Sequence, residues 1–157
     1  MHSARADEVE AGFAELNRLH EMRWGRPAFI GQRLQFHLRF ARHLARQGEL
    51  RLSRLSVDGR VVSVLYDVLR NGRQYNIKMA FDPTFSQRLS IGLMHLGYAM
   101  EAAAAERATL YDFLAGPGKT TDFKRLLSQK QCPLSSVQMV RGALLPALYR
   151  WRDRFRT

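Results

Sequence analysis

Two dipeptides, Asp58-Gly59 and Asn71-Gly72, constrain this chain more than any other feature. A two-residue hairpin turn needs positive φ at both central positions, which Asp-Gly and Asn-Gly tolerate best. Each pair lies between runs in which apolar and polar residues alternate. Leu50, Leu52, Leu55 and Val57 precede the first turn, with a phase slip at Ser53–Arg54 that reads as a bulge. Val62, Val64, Tyr66 and Val68 lie between the turns, and Tyr75, Ile77, Met79 and Phe81 follow the second. Residues 49–81 therefore read as a three-strand antiparallel meander, stopped by Asp82-Pro83.

Helical periodicity flanks the meander. Asp7–Trp24 carries Val9, Phe13 and Leu16 at helical spacing, with Pro27 just beyond. Gln32–Gln47 repeats the pattern with Phe36, Phe40 and Leu44, and Gly48 supplies a stop. After the meander, Leu89–Arg107 reads as a long helix, and Leu110–Leu114 as a strand reached by a parallel crossover. Pro133–Arg141 reads as a further strand and Leu144–Phe155 as a final amphipathic helix. At 157 residues and 46% hydrophobic, the chain suits one α/β domain, residues 1–157, with a mixed sheet.

Composition excludes several classes. No apolar run approaches the roughly 20 residues that span a bilayer, and the first residues lack the apolar core of a signal peptide. Cys132 is the only cysteine, so no internal disulfide or cysteine metal cluster is expected, and a reducing, cytoplasmic location fits. The five histidines (2, 20, 37, 43 and 95) show no metal-binding spacing, so no metal is expected, and His20 and His37 read as packing residues. The net charge of +11 favours anionic partners, or simply describes a basic surface.

Residues 109–127, TLYDFLAGPGKTTDFKRLL, form a strand–loop–helix junction of the kind that often places chemistry in a cleft. Gly118, Lys119 and Thr120 match only the tail of a phosphate-binding P-loop, because Phe113 stands where the first glycine belongs. No Gly-x-Ser-x-Gly elbow is present, which argues against covalent serine catalysis. Asp112 sits at a strand end, where a carboxylate accepts a proton, orients an amine, or merely stabilises the loop.

The ordered set LHEMRW (19–24), Phe36-His37, GELRLSRLSVDGRVVSV (48–64), AFDPTF (80–85), SIGL (90–93) and YDFLAGPGKTTDFK (111–124) resembles the C-terminal GNAT domain of the CelD/BioF2-like acetyltransferases, relatives of the FemAB peptidyltransferases. The resemblance implies a GNAT-like acyl-CoA N-acyltransferase fold and transfer of an acyl group, acetyl for example, from acyl-CoA to an amine acceptor, with a role in cell-surface polysaccharide biosynthesis. It implies that Phe123 and Lys124 are the family's aromatic–lysine pair, the lysine stabilising charge that develops on the attacked carbonyl and Phe123 packing on the donor. It implies that Asp112 belongs to the same catalytic block. It implies that Arg88, Ser90, Ile91 and Gly92, at the start of the central helix, hold the CoA pyrophosphate, although this loop carries one glycine. A Gly92→Glu change is accordingly expected to abolish donor binding in a folded protein.

The same family carries a preceding half, so a missing N-terminal GNAT half or a homodimer partner is implied. Two other readings stand beside the acyltransferase. One is a Fem-like transferase drawing on aminoacyl-tRNA, which suits an arginine-rich surface; the other is a GNAT-fold binding module without activity. The Arg-rich segment 141–157 reads either as a surface for RNA phosphates or anionic membranes, or as a basic helix packed on the sheet.

Overall fold

The computed structural model describes residues 8–86, 88–114, 124 and 127–133, with the backbone of His2 and Ser3. It comprises two compact units, Met1–Leu114 and Ala115–Thr157. In the first unit the order is β1 (His2–Ser3), α1 (Val9–Trp24), α2 (Gly31–Arg46), β2 (Leu50–Val57), β3 (Arg60–Arg70), β4 (Arg73–Phe81), α3 (Ile91–Ala105) and β5 (Leu110–Asp112). The five strands form one sheet in sequence order, antiparallel except for the parallel β4–β5 pair. The expected strand over Pro133–Arg141, the Leu144–Phe155 helix and the Gly118–Thr120 turn lie outside the described residues.

Local chemistry accounts for the meander. Asp58 and Gly59 have φ of 49° and 77°, and Asn71 and Gly72 have 52° and 69°, the paired positive values of type I′ hairpin turns. Asp82 ends β4: its carboxylate accepts from the Thr84 backbone N–H and hydroxyl at 2.8 and 2.7 Å and pairs with Arg60. Burial works to raise this carboxyl, but the Thr84 hydrogen bonds and Arg60 outweigh it and hold its pKa below the usual range.

One face of the sheet receives α1 and α2, burying Val9, Phe13, Leu16 and Leu19 against Leu50, Leu52, Val64, Tyr66 and Val68. The other face receives α3. There His95, fully buried, bridges Ser53 Oγ at 3.0 Å from Nε2 and Ser63 Oγ at 2.8 Å from Nδ1. Double coverage explains the apparent phase slip in β2. Leu50 and Leu52 point to α1 and α2, while Ser53 and Leu55 follow on the α3 face without any bulge at Ser53–Arg54. The register shift lies further along, between Leu55 and Ser56, opposite an extra residue of β3.

A second shift was not legible in the alternation. Tyr66 pairs with Lys78 and Asp67 with Asn76, so Ile77 is an extra residue in β4. Without it, Lys78 would share the face of Asn76. With it, Lys78 stands opposite Tyr66, and Ile77 packs on the α1/α2 core. None of the described helices is long and apolar enough to cross a membrane.

Candidate active site

β5 pairs with only the first part of β4: Arg73 with Leu110, Gln74 with Tyr111 and Tyr75 with Asp112. From Asn76 to Phe81, no described strand pairs with that edge of β4, so that among the described strands the pairing has an opening that runs to the end of β4. Over these three pairs the two strands lie side by side, as expected.

The start of α3 sits at the far end of the opening. A side chain at Gly92 would bring its Cβ to 2.9 Å from the Phe81 ring and 3.3 Å from Met79 Cε, so glycine lets the helix seat directly on β4. Ser90 is the N-cap, and its hydroxyl caps no amide. The first turn contains no acidic residue, and among the described residues the Gly92 and Leu93 amides make no hydrogen bond to the preceding loop, while the Ile91 amide donates to the Leu89 carbonyl at 3.0 Å. Ser86 Oγ instead accepts from the Arg88 and Leu89 amides at 3.2 and 3.1 Å, shaping the approach to the helix. Arg88 and Ser90 are exposed and Ile91 is buried. Uncapped amides and the helix dipole make this a suitable end for a phosphate.

A buried polar network fixes the short β5 strand. Asp67, 1% exposed, accepts from Gln74 Nε2 at 2.7 Å, Asn76 Nδ2 at 2.7 Å and the Tyr111 hydroxyl at 2.6 Å. Burial raises the Asp67 pKa, and the three hydrogen bonds oppose that rise. Tyr111 thus ties β5 to β3 across β4, where only three residue pairs join the strands.

The α1/α2 side of β4 is cationic. Lys78 is half-buried, and its pKa is lowered by burial and then by the charges of Arg26 and Arg33. The Arg23 guanidinium carbon lies 4.2 Å from the Phe81 ring centre and 4.8 Å from that of Trp24. His20 Nδ1 lies 2.7 Å from the Arg26 carbonyl, and burial, then Lys78, Arg26 and Arg23 against that carbonyl, keep its pKa low. Beneath them, Phe13, Phe29, His37 and Tyr66 form an aromatic cluster, with Tyr66 completely buried. The Tyr66 hydroxyl and His37 Nδ1 are buried without a hydrogen-bond partner among the described residues.

Residues 2–125 match the family model of the Acetyltransferase (GNAT) domain. The chain belongs to the GNAT acetyltransferase family. Its fold is similar to that of an aminoglycoside acetyltransferase from an uncultured soil metagenomic sample, solved with trehalose (TM-score 0.61, 15% identity, 88% of this chain and 95% of that one). It is also similar to an aminoglycoside N-acetyltransferase in complex with CoA (TM-score 0.59, 13% identity, 90% and 93% covered). A third similar structure is the ribosomal-protein-S18-alanine N-acetyltransferase of Escherichia coli (TM-score 0.54, 14% identity, 80% and 74% covered). No curated protein sequence matches the chain.

Within this GNAT domain the sequence-derived residues fall into separate places. Ser90, Ile91 and Gly92 begin α3 as expected, with Arg88 just before them. Gly92, however, is also a packing contact, so Gly92→Glu would displace the Phe81 ring rather than test binding alone. Asp112 ends β5, and its Oδ1 accepts from the Leu114 amide at 2.8 Å, closing a turn in which Leu114 has φ of 54°. Lys124 is a half-buried helical residue of the second unit, and its carbonyl accepts from Ser128 Oγ at 2.5 Å. Phe123 lies outside the described residues.

Sequence reasoning passed over Lys78 and the arginines around it. A signal was present: residues 22–48 contain Arg23, Arg26, Arg33, Arg39, Arg42 and Arg46 and no aspartate or glutamate. The face that Lys78 takes could not be read, because the bulge at Ile77 decides it. Two hollows of about 550 Å³ lie elsewhere, one between β2 and the later turns of α3, the other along α2.

Proposed function

We propose that this chain is an acyl-CoA-dependent N-acyltransferase of the CelD/BioF2-like branch of the GNAT family. The observation that carries this reading is the opening along Asn76–Phe81 of β4, bounded by β5 at one end and the uncapped start of α3 at the other. An extended donor suits this arrangement, with its thioester arm along that edge of β4 and its pyrophosphate over Ser90, Ile91 and Gly92 at the start of α3, where the Gly92 amide is uncapped while the Ile91 amide is held by the Leu89 carbonyl. Arg88 adds a positive side chain to that end, and the family resemblance assigns Phe123 to the donor. A CoA complex of a similar fold supports the donor class.

The reaction needs no protein nucleophile. The acceptor amine attacks the thioester carbonyl, the carbon–sulfur bond breaks, an amide forms, and CoA leaves as a thiol once protonated. Asp112 keeps one carboxylate oxygen beyond its Leu114 bond and is assigned to receive or relay the amine proton. Lys124 is assigned to stabilise the negative charge that develops on the carbonyl oxygen. The reading carries with it a cytoplasmic location and a place in building cell-surface polysaccharide.

Calorimetry with CoA and the Ser90→Asp variant tests this assignment. Aspartate is an excellent N-cap, so the fold should hold or gain stability while the carboxylate occupies the amides and repels phosphate. CoA affinity should fall at least about tenfold, or about 1.4 kcal/mol. Unchanged affinity in a folded Ser90→Asp protein would place the donor elsewhere.

A further inference from the structure

We propose that the acceptor amine is borne by an anionic small molecule, held by the Arg23, Arg26, Arg33 and Lys78 cluster on the α1/α2 face of β4. This rests on the acyltransferase reading and adds the chemical class of its acceptor. Lys78 lies in the stretch of β4 left open by β5, so the cluster borders the same opening as the donor end, from the opposite face of the sheet.

Three observations carry the inference. First, among the described residues none of the four cations forms an ion pair, while Arg18, Arg42, Arg51, Arg54, Arg60 and Arg70 each have a carboxylate partner. Glu21, the nearest acid in sequence, makes no ion pair with them either. Second, the bulge at Ile77 turns Lys78 toward Arg26 and Arg33, gathering like charges that an anion would relieve. Arg23 is likewise held inward, against the Phe81 ring at the end of the opening. Third, the Tyr66 hydroxyl across from Lys78 and the nearby His37 Nδ1 are buried and unpartnered. Both are polar atoms left unsatisfied beneath the cluster.

An amine bearing a phosphate or carboxylate matches this surface: its anion meets the guanidinium and ammonium groups while its amine reaches the thioester. A polycationic acceptor would meet four like charges and no acid. The structurally similar enzymes described as aminoglycoside acetyltransferases share the fold with this chain.

The test uses the full chain and the probes glucosamine, glucosamine 6-phosphate, glutamate, kanamycin and unacylated bulk tRNA. Binding is measured by calorimetry with and without CoA, and acetyl-CoA turnover by thiol release. Glucosamine 6-phosphate or glutamate should bind at least about tenfold tighter than glucosamine and kanamycin. The two anionic probes separate a phosphate source from a carboxylate source. Arg33→Glu should narrow the preference for the anionic probe at least about tenfold, since three cations and one carboxylate remain, and Lys78→Gln should weaken the anionic probe at least about fivefold while CoA affinity is retained.

Equal binding of charged and neutral probes, absence of binding by both anionic probes, or a preference unchanged in size in folded Arg33→Glu would overturn the proposal. So would tight tRNA binding lost in Arg33→Glu with no small anion bound, which would assign the cluster to RNA. A protein that binds glucosamine 6-phosphate but not CoA would retain the anion site and sink the acyltransferase reading, so the two failures are distinguishable.

Discussion

The Phe81 ring occupies the space that any side chain at Gly92 would need, 2.9 Å from a Cβ built there. The last residue of β4 and the second residue of α3 are thereby packed together. Arg23 of α1 lies against the same ring, so one aromatic side chain touches both the proposed donor end and the cationic acceptor face.

Gly92→Ala should therefore lower stability by about 1–3 kcal/mol, through overpacking rather than backbone strain. Phe81→Leu in the Gly92→Ala background should recover part of the loss. Urea denaturation of both single variants and the double variant measures the coupling. Additive losses would show that the ring and the helix do not compete for this space.

Tyr111→Phe should loosen β5. It removes one of three donors to a buried carboxylate, at a cost of about 1–3 kcal/mol. Burial raises the Asp67 pKa, so ionising it in the folded protein is penalised as pH rises through the unfolded carboxylate range and beyond. The variant should therefore be more destabilised at neutral pH than at about pH 4, where more of Asp67 is protonated. Amide exchange of Leu110–Asp112 should accelerate in parallel. An equal loss at both pH values would remove the carboxylate from the explanation.

His95 makes stability pH-dependent in the opposite sense. Burial lowers its pKa from the ordinary 6.5 to about 4, so below about pH 6.5 the unfolded chain takes up a proton that the folded chain refuses. Its contribution is intact above about pH 6.5 and is lost as pH falls toward about 4, at up to about 1.4 kcal/mol per pH unit. Denaturation of the wild type and His95→Gln across that window should give a shallower acid slope for the variant. Parallel slopes would mean that His95 is charged inside the fold.

Lys124→Ala should reduce turnover roughly a hundredfold with CoA affinity nearly unchanged, and Lys124→Arg should not restore it fully. Asp112→Asn should lower kcat and shift the pH profile, since the amide keeps an acceptor for the Leu114 N–H but cannot take a proton. Full activity in Lys124→Ala would leave that lysine with a structural role.

Much of the architecture could be read in order along the chain. Asp58-Gly59 and Asn71-Gly72 determine the hairpins because few other pairs accept two successive positive φ values. The periodicity of α1, α2 and α3, and the stop at Asp82-Pro83, follow equally from local chemistry. The start of α3 could also be located to within two residues, at Leu89 against the observed Ile91.

Tertiary structure alone decided three things. The α3 layer placed Ser53 and Leu55 in a second buried face, so a seeming slip in β2 was continuous alternation on a sheet covered on both sides. Contact with Phe81 made Gly92 a packing residue, because close approach of helix and strand leaves no mark in glycine itself. The extra residue at Ile77 turned Lys78 to the α1/α2 face, where Arg23, Arg26 and Arg33 converge. Local propensity sets which residues form a strand; where its side chains point after a bulge depends on the register with its neighbour, and that is a property of the sheet.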